Sequence, residues 1–70
     1  MNNIYNYRYT VSKKNKDNQV QITYKIFHWD NDNIAIKFIG ILENKHDGYT
    51  CLAIDKDIDN HYVPIWEKHI

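Results

Sequence analysis

Ile34-Ala35-Ile36-Lys37-Phe38-Ile39-Gly40-Ile41-Leu42 is the stretch on which the fold turns. Lys37 is its one charged residue, and Asp30-Asn31-Asp32-Asn33 and Glu43-Asn44-Lys45 bound it. Rich in β-branched isoleucine and apolar on both faces, the run reads as a central strand covered on both sides. A chain of 70 residues folds as one domain, and its sheet covers one of its own faces more readily than two. The second face of that strand, carrying Ile39 and Ile41 with the neighbouring Trp29, is therefore expected to meet a partner, most simply a second copy.

Four further segments flank this run, separated by turn signals. In Ile4 to Lys13, residues Tyr5, Tyr7, Tyr9 and Val11 share one face. In Gln19 to Trp29, residues Val20, Ile22, Tyr24 and Ile26 alternate with Gln19, Gln21, Thr23 and Lys25 until Phe27, His28 and Trp29 break the pattern. Such alternation is that of a half-buried strand. Tyr49 to Asp55 is the fourth segment and His61 to Lys68 the last. Pro64 makes the last segment an edge strand, because proline cannot donate to a ladder. A short helix is its alternative, since Tyr62, Ile65, Trp66 and His69 recur near helical spacing.

The connections 15–18, 30–33, 45–48 and 57–60 are rich in Asn, Asp and Gly, and Asp47-Gly48 is a strong hairpin signal. The expected fold is all-β: a single curved antiparallel meander sheet of four to five strands, with that C-terminal helix as the variant. Gly40 then marks a bend or a close approach within the central strand. The expected core is Val20, Ile22, Tyr24, Ile26, Ile34, Ile36, Phe38, Leu52, Ile54 and Trp66.

Cys51 is the only cysteine, so no disulfide staples this small chain, and self-association is the stabilising device that remains. No signal core precedes the first strand, and no apolar run approaches the ~20 residues that span a bilayer. These features give the expectation of a soluble, cytoplasmic protein without membrane contact. Asn, Lys, Ile and Tyr fill 34 of the 70 positions, a bias that AT-rich codons produce. A low-GC bacterium, its phage or an AT-rich virus is the expected source, with the host cytoplasm as location if phage-encoded.

Formal charge is zero overall, yet residues 1–28 carry +4 and residues 29–70 carry −4. Unevenness of this kind favours self-association or an oppositely charged partner. Tyr5, Tyr7 and Tyr9 beside Arg8, Lys13, Lys14 and Lys16 have the composition of a stacking platform along a cationic track, as single-stranded nucleic acid binders use. The competing reading packs the tyrosines on the core or against a protein, where tyrosine is favoured.

Asp55, Asp57 and Asp59 alternate as in the start of a calcium loop. No glycine follows, however, and Trp66 stands where the bidentate glutamate belongs, so no metal is expected. His28, His46, His61 and His69 lack zinc-site spacing. A mid-strand cysteine is ordinarily core rather than nucleophile, and Glu43 and Glu67 form no evident pair. No phosphate loop or nucleophile elbow occurs.

The sequence therefore points to a small non-enzymatic binding protein without a cofactor. As an oligomer it would inhibit or sequester a host defence partner, in the manner of a phage or mobile-element accessory protein. Its partner would be a protein or, in a pocket between copies lined by Arg8 and lysines, a small anionic ligand. Single-stranded nucleic acid is the alternative.

Overall fold

The computed structural model describes residues 3–45 and 49–69. Four antiparallel strands form one open sheet: β1 (Tyr5–Lys14), β2 (Val20–Trp29), β3 (Tyr49–Ile58) and β4 (His61–Glu67). One helix, α1 (Asp32–Lys45), lies between β2 and β3 in the chain. The spatial order is β2-β1-β3-β4, so β1 is central and pairs on both sides. The expected single antiparallel sheet is present, and the last segment is the edge strand rather than a helix.

The stretch 34–42, expected as the central strand, is helical. Asn31 caps it: its Oδ1 accepts the backbone N–H of Ile34 at 2.9 Å, three residues on. Asp32 places a carboxylate in the first turn, where the helix dipole favours it. Ala35, Phe38, Ile39 and Leu42 then recur at i, i+3, i+4 and i+7, and they are the residues turned to the sheet. Ala35 and Leu42 are fully buried, while Ile34 and Ile41 point to solvent. A polar-bounded span of 14 residues is helix length, and the isoleucines obscured that signal. Gly40 marks no bend or close approach; it lies on the exposed side of α1, and a Cβ there would touch nothing within 4 Å.

Two turns define the hairpins. In the first, Asn15 Oδ1 accepts the backbone N–H groups of Asp17 and Gln19, both at 2.9 Å, while Asn18 adopts φ 64°. In the second, Asp59 (φ 51°) and Asn60 (φ 67°) both take left-handed conformations, as a two-residue type I′ turn requires. The Asp47-Gly48 turn signal lies outside the described residues.

The core lies between α1 and one face of the sheet. It comprises Tyr7, Tyr9 and Val11 of β1, Cys51 and Ile54 of β3, and Ala35 and Leu42 of α1. Phe27, Trp29 and Phe38 extend it as an aromatic cluster with Tyr9. Phe27 and Phe38 centroids are 4.7 Å apart, and those of Trp29 and Phe38 4.9 Å. The Tyr9 hydroxyl ties three elements together, donating to the Ala35 carbonyl at 2.6 Å and accepting from Trp29 Nε1 at 2.9 Å.

Candidate interaction surface

Antiparallel partners share a face, so the register of β1 and β2 assigns every side chain. Tyr7 and Tyr9 lie under the helix, opposite Phe27 and Lys25. Arg8, Thr10, Ser12 and Lys14 occupy the opposite face, beside Ile26, Tyr24, Ile22 and Val20. No element covers that second face among the described residues. Val20, Ile22, Tyr24 and Ile26 are accordingly 46–61% exposed, although their alternation made them expected core. Alternation identifies residues that share a face; it does not say which face is covered. The break at Phe27 and Trp29 carried that information, since these two residues lie on the helix side.

The other expected core positions divide in two. Ile54 is buried, and Ile36, Phe38 and Trp66 pack against the core. Leu52 is half-buried, and Ile34 is 40% exposed.

Arg8 organises the middle of the open face. Its guanidinium carbon lies 5.0 Å from the ring centroid of Tyr24 on β2 and 4.1 Å from that of Tyr62 on β4. On β3, Asp55 Oδ2 accepts from Arg8 Nη2 at 3.1 Å. Contact with two ring faces together with ion pairing suits guanidinium better than ammonium. Arg8 was expected in the binding set; Tyr24, Tyr62 and Asp55 were not. The cross-strand geometry that unites them is long-range, and no local motif announces it.

The remaining expected site residues are dispersed. Tyr7 and Tyr9 present no open ring face, being 0% exposed. Burial pushes the Tyr9 hydroxyl up to about 12, and the bond from Trp29 opposes this only in part. Burial, and then the hydrogen bond to Asp32, also pushes the Tyr7 hydroxyl well up. Tyr5 is half-buried under Lys56, whose Nζ stands 4.1 Å from its ring centroid. Lys13 and Lys14 are exposed, Lys16 lies in the first turn, and Lys13 and Lys25 flank the ring of Tyr49 at 5.3 Å. Of the expected interface trio, Trp29 and Ile39 pack on the core, while Ile41 is 57% exposed on the outer side of α1. With 34–44 helical, these three form no second face of a strand.

A polar latch fastens the helix start to the sheet. Tyr7 donates its hydroxyl to Asp32 Oδ1 at 2.8 Å, and Lys56 Nζ is 3.1 Å from the same oxygen. The Tyr7 bond lowers the Asp32 pKa, partial burial opposes it, and Lys56 reinforces the lowering. At the helix end, Glu43 Oε2 accepts the backbone N–H of Cys51 at 2.9 Å.

Cys51 is buried, and desolvation pushes its thiol up to about 11, the reverse of what a nucleophile needs. Asp55 is held by Arg8 and Asp59 sits in the second turn. Among the described residues no three His, Cys, Asp or Glu side chains converge as a metal site, no enclosed cavity opens, and no helix is long and apolar enough to cross a membrane. His28 Nδ1 contacts Asn6 Oδ1 at 2.6 Å at the rim of the open face. No protein-family model matches the chain, and searches of curated proteins and of solved structures found no match.

Proposed function

We propose that this chain is a small non-enzymatic binding protein whose working surface is the open face of its sheet, and that its partner is a protein. The observation that carries this reading is the stripe Val20, Ile22, Tyr24 and Ile26, left 46–61% exposed on a folded sheet and rimmed by Arg8 and Tyr62. Contiguous exposed apolar side chains with a polar rim are the anatomy of a protein contact. Tyrosine and arginine are the side chains most enriched at the energetic centres of such contacts. The AT-rich residue usage supplies the setting: an accessory protein of a phage or mobile element that inhibits or sequesters a component of host defence in the host cytoplasm.

Burial of Tyr7 and Tyr9 favours a protein partner over single-stranded nucleic acid, because stacking needs an open ring face. Two measurements test the proposal. Immobilised protein should retain a specific host protein that an Ile22→Asp variant of equal circular dichroism releases, and the purified host protein should rebind directly. Retention indifferent to Ile22→Asp, or none, overturns the open-face reading. Labelled oligonucleotides at low salt should show no anisotropy change at tens of micromolar. Binding that weakens steeply with added salt would establish the nucleic acid alternative instead.

A further inference from the structure

The two edges of the sheet are protected unequally. β4 is seven residues long, carries Pro64, and is broken in register by a bulge at Ile54/Asp55. Short length, proline and a bulge are the devices that stop an edge from pairing with another chain. β2 has none of them. It runs ten residues without proline, pairs with β1 in unbroken register, and has no neighbour on its other side among the described residues.

Backbone alternation fixes which groups of β2 face outward. The Asn15 N–H donates to the Gln19 carbonyl at 2.9 Å, which makes odd-numbered residues the ones bonded to β1. The N–H and C=O groups of Val20, Ile22, Tyr24, Ile26 and His28 therefore point away from the sheet. The first four of these are the residues whose side chains form the apolar stripe. A strand added at this edge gains the backbone ladder and the side-chain contacts from the same positions.

We infer that the occupant of this edge is the β2 strand of a second copy, paired antiparallel about a two-fold axis at Thr23. This inference rests on the open-face reading and deepens it. Two-fold pairing must match outward groups with outward groups, so the axis passes through a residue. Centred on Thr23, it sets Val20 against Ile26 and Ile22 against Tyr24, each pair occurring twice. It also sets Gln21 against Lys25 and the two Thr23 side chains against each other, a favourable cross-strand pair. The Lys16 turn of one copy then runs toward Asp30 of the other. Centring on Tyr24 instead sets Val20 against His28, and centring on Lys25 opposes two lysines. Charge and apolar matching thus favour the Thr23 axis over these two, and the cross-linking below reads the register itself.

The product is a continuous eight-stranded sheet with both helices on one side. Gln21, Thr23 and Lys25 line the axis on the helix side, and the two stripes merge on the open side into one doubled apolar strip. That strip is the floor on which the protein partner would rest.

Cysteine cross-linking reads the register directly. Directly opposed residues of a non-hydrogen-bonded antiparallel pair have Cα atoms ~4.5 Å apart, within the span of a disulfide. A Thr23→Cys variant, with Cys51→Ala to remove the native thiol, should oxidise almost completely to a covalent dimer at micromolar concentration. A Gln21→Cys variant in the same background should dimerise without forming the covalent link, because its thiols lie four positions apart across the axis. Thr23→Lys should halve the mass seen by light scattering and leave circular dichroism unchanged. Equal cross-linking of both cysteine variants, or a monomeric wild-type protein at tens of micromolar, overturns the inference. A monomer that still captures its host protein through Ile22 leaves the open-face reading standing, so the two failures are distinguishable.

Discussion

Tyr9 and Tyr24 sit on adjacent strands and point to opposite faces of the same sheet, and their surroundings differ in every respect. Tyr9 is fully buried, packs edge-on against Phe27 and Phe38, and spends its hydroxyl on Ala35 and Trp29. Tyr24 is 60% exposed, with the guanidinium of Arg8 against its ring. One face of the sheet stabilises the fold; the other holds apolar surface that the fold does not use. A 70-residue domain has a thin stability margin, so apolar area kept out of the core is a notable allocation.

Paired substitutions give the largest expected effect and the most direct way to break this contrast. Tyr9→Ala should cost ~3–5 kcal/mol, enough to unfold much of the population, because it empties a packed site and orphans Trp29 Nε1. Tyr24→Ala should cost no more than ~1 kcal/mol in the monomer, the worth of an exposed cation–ring contact. Urea unfolding of dilute protein measures both, and comparable losses would erase the distinction between the faces.

Alkaline pH attacks the covered face alone. Tyr9 rises from 10.0 to about 12 and Cys51 from 9.0 to about 11 on burial. A raised folded-state value gives stability that is complete below the unfolded value and lost as pH climbs through the folded one. Stability should therefore hold to pH 9 and decline between pH 9 and 12, by ~2 kcal/mol per group for shifts of this size. Cys51→Ala should reduce that decline, measured as urea midpoint against pH. An unchanged slope would remove Cys51 from the account.

The acid side tests the latch. Asp32 is held below its ordinary 3.8 by the Tyr7 hydroxyl first and Lys56 after it. Its contribution is present above pH 4 and disappears as pH falls through the lowered value. Asp32→Ala should cost ~1–2 kcal/mol at neutral pH by leaving the buried Tyr7 hydroxyl without its acceptor. The same variant should flatten the loss of stability below pH 4.

The smallest expected change is a gain. Gly40 is an exposed helical glycine with open space at its Cβ position, so Gly40→Ala should stabilise by ~0.5–1 kcal/mol. The same substitution in a strand bend would destabilise, and thermal unfolding separates the two.

The parts of this fold legible in the sequence are those set by short-range chemistry. Asn15 to Asn18 and Asp57 to Asn60 announce the two described hairpins, and Pro64 announces the edge. Period-two alternation found β1 and β2, and the turn signals on either side delimited β3. Legibility failed at Ile34–Leu42, where isoleucine density outweighed the cap at Asn31 and the i, i+3, i+4, i+7 set of Ala35, Phe38, Ile39 and Leu42. Once that helix is placed, it covers Tyr7 and Tyr9 and inverts the expected faces of β1 and β2 together. The surface around Arg8 depends on strand order, a property of long-range pairing that no window of the sequence contains.

Arg8 also has a mechanical meaning. From a central strand its side chain reaches Tyr24 on one edge, Tyr62 on the other and Asp55 between them. It spans the width of the sheet like a tie-rod, one side chain in contact with both edge strands. A tie of this kind must meet two rings and a carboxylate with one cation. In a chain whose other eight basic positions are all lysine, the single arginine stands at the one place where a planar cation is gripped from both edges.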